Sequence, residues 1–258
     1  MSGKPSDTYE SRKKRYDNML TLYGRKPVLE VLLIPALEVF RLHLAKTNHS
    51  GETIAEIERL AGERNIDIRY HSRQELSRIS RNGRQDQGVA IDLIAPRFNS
   101  LEDLPLRLIK PGFEILLLDR ITNPQNLGMI IRSVAASPMN GLILPRIGNA
   151  GIDPLVFKAS AGTLFNASIF HCQTTVSAID FLKENGVRIC GLDGQGKIPL
   201  GDLREEQPQA IVLGNETTGL SRAVKEACDL LVNIPMANQI ESINVGAAAT
   251  LVAFRRII

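Results

Sequence analysis

The chain has 258 residues, 43% hydrophobic and 23% charged, with a formal net charge of +3. That is enough for one large domain, or a small one followed by a medium one, with a sizeable core. No run of about 18 uncharged apolar residues occurs, which argues against a membrane span, and the polar, basic stretch from Met1 to Tyr16 lacks an apolar signal segment, so a cytoplasmic protein is expected.

Residues 1–20 read as a flexible basic arm, in which Arg12, Lys13, Lys14 and Arg15 are candidate phosphate contacts. Residues 21–95 alternate helical and strand patterns. A helix is expected near Pro27–Leu33, a strand at Val39–Ala45, and an amphipathic helix at Thr53–Arg64 with Ile54, Ile57, Leu60 and Ala61 on one face. A short strand at Asp67–Tyr70, a helix at Arg73–Ser80 and a strand at Gly88–Ile94 complete a small α/β domain. Arg73, Arg78, Arg81 and Arg84 form a second basic cluster, which taken alone a solvated helix face explains better than phosphate binding does. Residues 96–112, with their prolines and charges, read as a linker.

The second domain, 113–258, carries six apolar strand candidates: Phe113–Leu118, Gly141–Pro145, Ala167–His171, Arg188–Leu192, Ala210–Gly214 and Leu230–Ile234. Helices are expected near Asn126–Ala136, Pro154–Leu164, Val176–Asn185, Ser221–Cys228 and Ile243–Ile257. Near-continuous apolar strands alternating with helices predict a parallel sheet covered on both faces. Ligands of such sheets sit at the carboxyl ends of the strands.

Three polar segments follow strand ends. The first runs from Asp119 to Gly128 into a helix carrying Arg132. Asn126 and Arg132 are six residues apart, about 120° from eclipsed, although the start of the helix can bring both to one rim. Asn126 is also explicable as a cap, and Arg132 as half of a structural ion pair. The second segment, Leu213–Ser221, holds Gly214, Glu216 and Gly219, compatible with a ligand-approaching backbone or with a plain tight turn. The third, Asn233–Ala249, leads a polar loop into a helix of small residues, with Ser242 placed to be its N-cap. Gly191–Gly196 also follows a strand, but its glycine spacing is wrong for a dinucleotide fingerprint and it reads as a turn. Cys172, Cys190 and Cys228, like the four histidines, match no zinc or disulfide spacing, so no metal is expected.

In this order the three segments resemble the signature motifs of the SpoU/TrmH family of the SPOUT superfamily: Asn123-Pro124 with Asn126, Gly128 and Arg132; Gly214 with Glu216 and Gly219-Leu220-Ser221; and Ile234-Pro235-Met236 with Ser242-Ile243-Asn244-Val245. Residues 21–94, through Gly24, Pro27–Glu30 and Gln87–Ala90, resemble the family's substrate-binding domain, similar to a ribosomal RNA-binding protein. Asp86 in place of histidine, Ile243 in place of leucine, and Gly246 in place of serine or alanine depart from the pattern without removing a polar group from the motifs.

The resemblance implies an α/β fold whose C-terminal parallel-sheet SPOUT domain is tied in a trefoil knot, against the general rarity of knots, and a homodimer with each active site near the interface. It implies methyl transfer from S-adenosylmethionine to a ribose 2'-hydroxyl of RNA, with ribosomal RNA, large subunit first, as the favoured partner and no role for DNA. Transfer RNA as the substrate, or a catalytically silent assembly factor, are the alternatives. By resemblance Gly214, Ile234 and Ile243 contact the cofactor, and Asn126, Arg132, Glu216, Ser242 and Asn244 are the catalytic and RNA-facing set; the basic arm with Arg81 and Arg84, singled out by charge, is expected to meet RNA. Arginine, with a pKa above about 12, resists deprotonation, which favours Arg132 as an orienter and electrostatic stabiliser.

Overall fold

The computed structural model describes residues 19–48, 51–94, 98–204 and 206–257. The chain divides into two compact units, one up to residue 96 and the other from residue 97.

The first unit is a four-stranded sheet in the order β1-β4-β2-β3, with β1 Met19–Tyr23, β2 Glu38–Ala45, β3 Ile68–His71 and β4 Val89–Ile94. β4 is antiparallel to both β1 and β2, and β3 is parallel to β2. Three helices complete it: α1 Arg25–Leu32, α2 Glu52–Glu63 and α3 Arg73–Ser80. Ile54, Ile57 and Ala61 of α2 are buried at helical spacing. α3 starts sharply because Ser72 and Glu75 form a reciprocal capping box. Asp86 is buried, accepting from the Ser80 hydroxyl (2.8 Å) and the Gly88 amide (2.9 Å), and so fixes the turn into β4.

Two boundaries differ from expectation. Met19 and Leu20, assigned to the arm from sequence, open strand β1; the apolar side chains of Leu20 and Leu22 alternate with Thr21 as a half-buried strand requires. The rest of the arm lies outside the described residues. The second difference is larger. Residues 98–112 are no linker: β5 Phe98–Ser100 adds an edge strand to the second unit, and two 3-10 turns follow. Phe98 of β5, Leu101 of the first turn and Leu104 just after it are all buried, which ties the segment to the core.

The second unit is an eight-stranded, wholly parallel sheet, β10-β12-β9-β11-β6-β7-β8-β5. Its further strands are β6 Glu114–Leu118, β7 Leu142–Pro145, β8 Ile169–Cys172, β9 Arg188–Leu192, β10 Ile198–Pro199, β11 Gln209–Leu213 and β12 Leu230–Asn233. Central β6 and β11 are buried at every residue, as both-face coverage demands. Its helices are α4 Pro124–Ala135, α5 Pro154–Ala159, α6 Thr175–Glu184, α7 Arg222–Ala227 and α8 Val245–Phe254. Helix α5 is shorter than the sequence pattern suggested, yielding to a 3-10 turn at Thr163–Asn166. Helix α4 packs on α5 and α8. At the α5 contact a Cβ on Gly128 would stand 2.4 Å from the Ala159 Cβ and 2.8 Å from a backbone oxygen, so only glycine fits. Strands β6, β7 and β8 run outward in sequence order on one side of β6, while β11 and β9 lie on the other. The crevice this reversal opens lies at the carboxyl ends of the strands.

Candidate active site

The turns after β6 and β11 are stitched together by hydrogen bonds. Asp119, 3% exposed, accepts from the Ser221 amide (2.7 Å) and the Thr175 hydroxyl (3.2 Å). Arg120, in the left-handed region at φ 60°, donates to the Gly219 carbonyl (3.0 Å), and its own carbonyl accepts from Asn215 Nδ2 (2.9 Å). The Asn215 side chain then accepts from the Thr217 and Thr218 amides, closing the 215–219 turn on itself. Gly214 permits this: a Cβ there would lie 2.3 Å from the Gly219 carbonyl carbon and 2.4 Å from the Leu220 nitrogen.

The cap of α4 is Asn123, whose side chain accepts from the Gln125 and Asn126 amides, with Pro124 in the first helical turn. Asn126 is thereby free of capping duty. Its Nδ2 donates to Glu216 Oε1 at 2.6 Å, and its Oδ1 accepts from Asn244 Nδ2 at 3.0 Å. Asn244 in turn caps α8, accepting from the Gly246 and Ala247 amides. Every amide orientation in this chain is fixed by its neighbour, and it runs from motif two through motif one to motif three. Asn126 is buried; Asn244 is exposed and Glu216 half-buried.

The N-cap expected at Ser242 is therefore Asn244, two residues later, because an asparagine side chain at that point reaches two helix amides. Ser242 stays exposed and lines a cavity of about 750 Å³. Arg132 is exposed on α4 and its side chain makes no hydrogen bond or ion pair among the described residues, so the chain alone does not bring it to the rim with buried Asn126. Six residues of helix keep the two on different faces.

The cavity is walled by residues 192–195, 213–217, 219, 233–236 and 240–243, with Val245 and Ala248. Gly214, Ile234, Ile243, Glu216 and Ser242 all line it. Asp193, Gly194 and Gln195, within a segment whose glycine spacing points only to a turn, form a further wall. β9 lies beside both β11 and β12, so its carboxyl end faces the same crevice. The rule of strand ends, applied to β9, was the available signal. At that volume, with apolar and polar walls, the cavity matches a small-molecule site of about 300–1,000 Å³.

Arg81 and Arg84 are exposed at the end of α3 and beyond, with Arg73 and Arg78 also exposed on it. Arg12, Lys13, Lys14 and Arg15 lie outside the described residues. No three His, Cys, Asp or Glu side chains among the described residues are grouped to hold a metal. Burial pushes the thiols of Cys172 and Cys190 up to about 12 and that of Cys228 up to about 11, leaving no thiolate nucleophile near neutral pH. No described helix is long and apolar enough to cross a membrane.

Residues 114–254 match a model of the SpoU rRNA methylase family, and residues 21–98 match one described as RNA 2'-O ribose methyltransferase substrate binding. A Mycolicibacterium vanbaalenii protein described as an uncharacterized tRNA/rRNA methyltransferase is 33% identical over 247 residues, 94% of this chain and 77% of the relative. A Mycobacterium leprae protein of like description is 34% identical over 242 residues, 93% and 77% of the two chains. The crystal structure of the SpoU methyltransferase AviRb from Streptomyces viridochromogenes, in complex with AdoMet, is similar at a TM-score of 0.67 and 24% identity, covering 97% of this chain and 92% of that one. An rRNA methyltransferase from Sinorhizobium meliloti gives 0.63 and 22%, over 95% and 88%. At these identities the structural likeness establishes the fold.

Proposed function

The chain belongs to the SpoU rRNA methylase family, and from that premise we propose that it methylates a ribose 2'-hydroxyl of RNA, ribosomal RNA of the large subunit first, using S-adenosylmethionine. The observation that carries the reading is the Asn244–Asn126–Glu216 chain, which joins all three motifs at the edge of the cavity. The cavity's size and mixed walls suit an adenosine attached to a charged amino-acid tail, and Gly214, Ile234 and Ile243 would hold it through their backbones. When bound, the cofactor supplies a methyl group on a sulfonium, so no covalent enzyme intermediate is required.

The protein's own work is then positional and electrostatic. Asn126, Ser242 and Asn244 orient the ribose, while Glu216 holds the Asn126 amide in place. The Arg132 guanidinium stabilises negative charge developing on the 2'-oxygen, and the proton leaves to a phosphate oxygen or water. Arg132 is exposed on the same helix face as Met129, which is 44% exposed, and Leu251 of α8 is 38% exposed. These apolar groups suit burial in a homodimer, which would carry Arg132 to a site near the interface. The knotted threading of the chain before α8 and a cytoplasmic location belong to the same reading. The first unit, with Arg81 and Arg84 on its surface, would read RNA shape and grip phosphates.

Transfer of a labelled methyl group to purified RNA tests this. Wild type should label RNA, and Arg132→Ala should abolish labelling while binding S-adenosylmethionine within a few-fold of wild type. Full turnover by Arg132→Ala would remove that residue from its role, and labelling of transfer RNA alone would move the substrate to the other class.

A further inference from the structure

We propose that the cavity selects its ligand by charge, with Glu216 as the determinant that favours the sulfonium form of the cofactor over the uncharged thioether left after methyl transfer. This rests on the methyl-donor reading above and names a specificity residue within it.

Among the described residues three carboxylates, Asp193, Glu216 and Glu241, line the cavity, and no lysine, arginine or histidine does. The chain as a whole has more cations, 31 Lys and Arg against 28 Asp and Glu, so the acidic wall is not a reflection of composition. The three acids are not equivalent. Asp193 is paired with Lys225 Nζ at 2.9 Å and also accepts from the Gln195 amide, so its charge is already met. Glu216 makes no ion pair among the described residues; its bonding partner is the neutral amide of Asn126. Arg120, on the neighbouring turn, is engaged by Asp119 and the Gly219 carbonyl. Glu241 is exposed on the loop before α8. Asn233, a further wall residue, keeps its Oδ1 buried with no hydrogen-bond partner among the described residues. The polar walls thus offer acceptors and negative charge in a concave space, where fields are less screened than on an open surface.

S-adenosylmethionine bears an ammonium and a sulfonium against one carboxylate. Its demethylated product lacks the sulfonium charge and is neutral overall. An anionic wall therefore holds the first more tightly and releases the second. The same wall repels phosphate, which keeps RNA out of the cofactor's space.

Isothermal titration calorimetry of the full-length protein with S-adenosylmethionine, S-adenosylhomocysteine and sinefungin, an unreactive analogue with an amine where the sulfonium stands, tests the proposal without turnover. Wild type should bind the two cationic ligands about tenfold or more tighter than the thioether, and the preference should shrink with added salt. Glu216→Gln keeps an oxygen to accept from Asn126, and should reduce the preference to within about threefold by weakening only the cationic ligands. Glu241→Gln, at an exposed position, should reduce it less. Equal affinities in wild type, or an unchanged ratio in Glu216→Gln, would overturn charge selection while leaving the methyl-donor reading standing. If wild type binds none of the three, both fall.

Discussion

Replacing Asn126 by alanine removes the residue that joins the three motifs, and the structure sets the size of the effect. Two hydrogen bonds are lost: one to the Glu216 carboxylate at 2.6 Å and one from Asn244 at 3.0 Å. A bond to a charged group contributes about 1.5–3 kcal/mol and a neutral one about 0.5–1.5 kcal/mol. Glu216 is only half-buried and recovers water, so the lower ends apply, giving about 2 kcal/mol. For a unit of this size that lowers the melting temperature by roughly 4–8 °C. Asn244→Ala should lose its share of the same bond plus its helix cap, about 1 kcal/mol more. Because the residues touch, the double variant should lose less than the two single losses added together. Scanning calorimetry of wild type, both single variants and the double variant measures all of this, with methyl transfer assayed alongside. Unchanged melting in Asn126→Ala, or strict additivity in the cycle, would refute the bridge.

Three further outcomes follow from other parts of the molecule. Gly214→Ala, whose Cβ would collide with backbone at Gly219 and Leu220, should collapse the turn and abolish cofactor binding by calorimetry; retained affinity would show that the turn can yield. Arg255→Met should destabilise the second unit by about 3–5 kcal/mol in urea denaturation, because Arg255 and Glu114 form an ion pair at 2.6 Å with side chains 6% and 1% exposed; a loss under about 1 kcal/mol would contradict it. In the first unit, burial pushes the Asp92 carboxyl up, but hydrogen bonds from His43 and Thr21 outweigh it and hold it below the ordinary range. A lowered folded value means stability that is present above about pH 4 and lost as pH falls through the folded value. Asp92→Asn should therefore flatten the acid limb. The second unit has no tyrosine and the chain no tryptophan, so tyrosine fluorescence, with Tyr23 and Tyr70 in the first unit, carries no signal from the second, and an unaltered acid limb would count against the argument.

Legibility in sequence tracked burial. β6 and β11 are apolar throughout and α3 carries its capping box in plain view, so their positions could be read directly. β5 and β10 are three and two residues long, too short for any period to register, and they exist because neighbouring strands present an edge. Proline and charge made residues 96–112 resemble a linker, although Phe98, Leu101 and Leu104 were already marking a buried side. Gly214, Glu216, Ile234, Ser242 and Ile243 all came to one cavity, since each follows a strand end that the apolar pattern locates. The wall from Asp193 to Gln195 was missed because adjacency of β9 to β11 and β12 is a property of strand order, which no local pattern records. Helix register explains Arg132: the start of α4 at Pro124 turns Asn126 inward and leaves Arg132 outside.

The central claim is tested most directly by the chemical position of the transferred methyl group. Cellular RNA from a strain lacking the gene should be treated with the purified protein and labelled S-adenosylmethionine, digested to nucleosides and resolved by mass spectrometry. The account predicts one new 2'-O-methylribose nucleoside, mapping to a single site in ribosomal RNA. A methyl group found on a base, or no incorporation into any RNA by a protein that binds the cofactor, would contradict it.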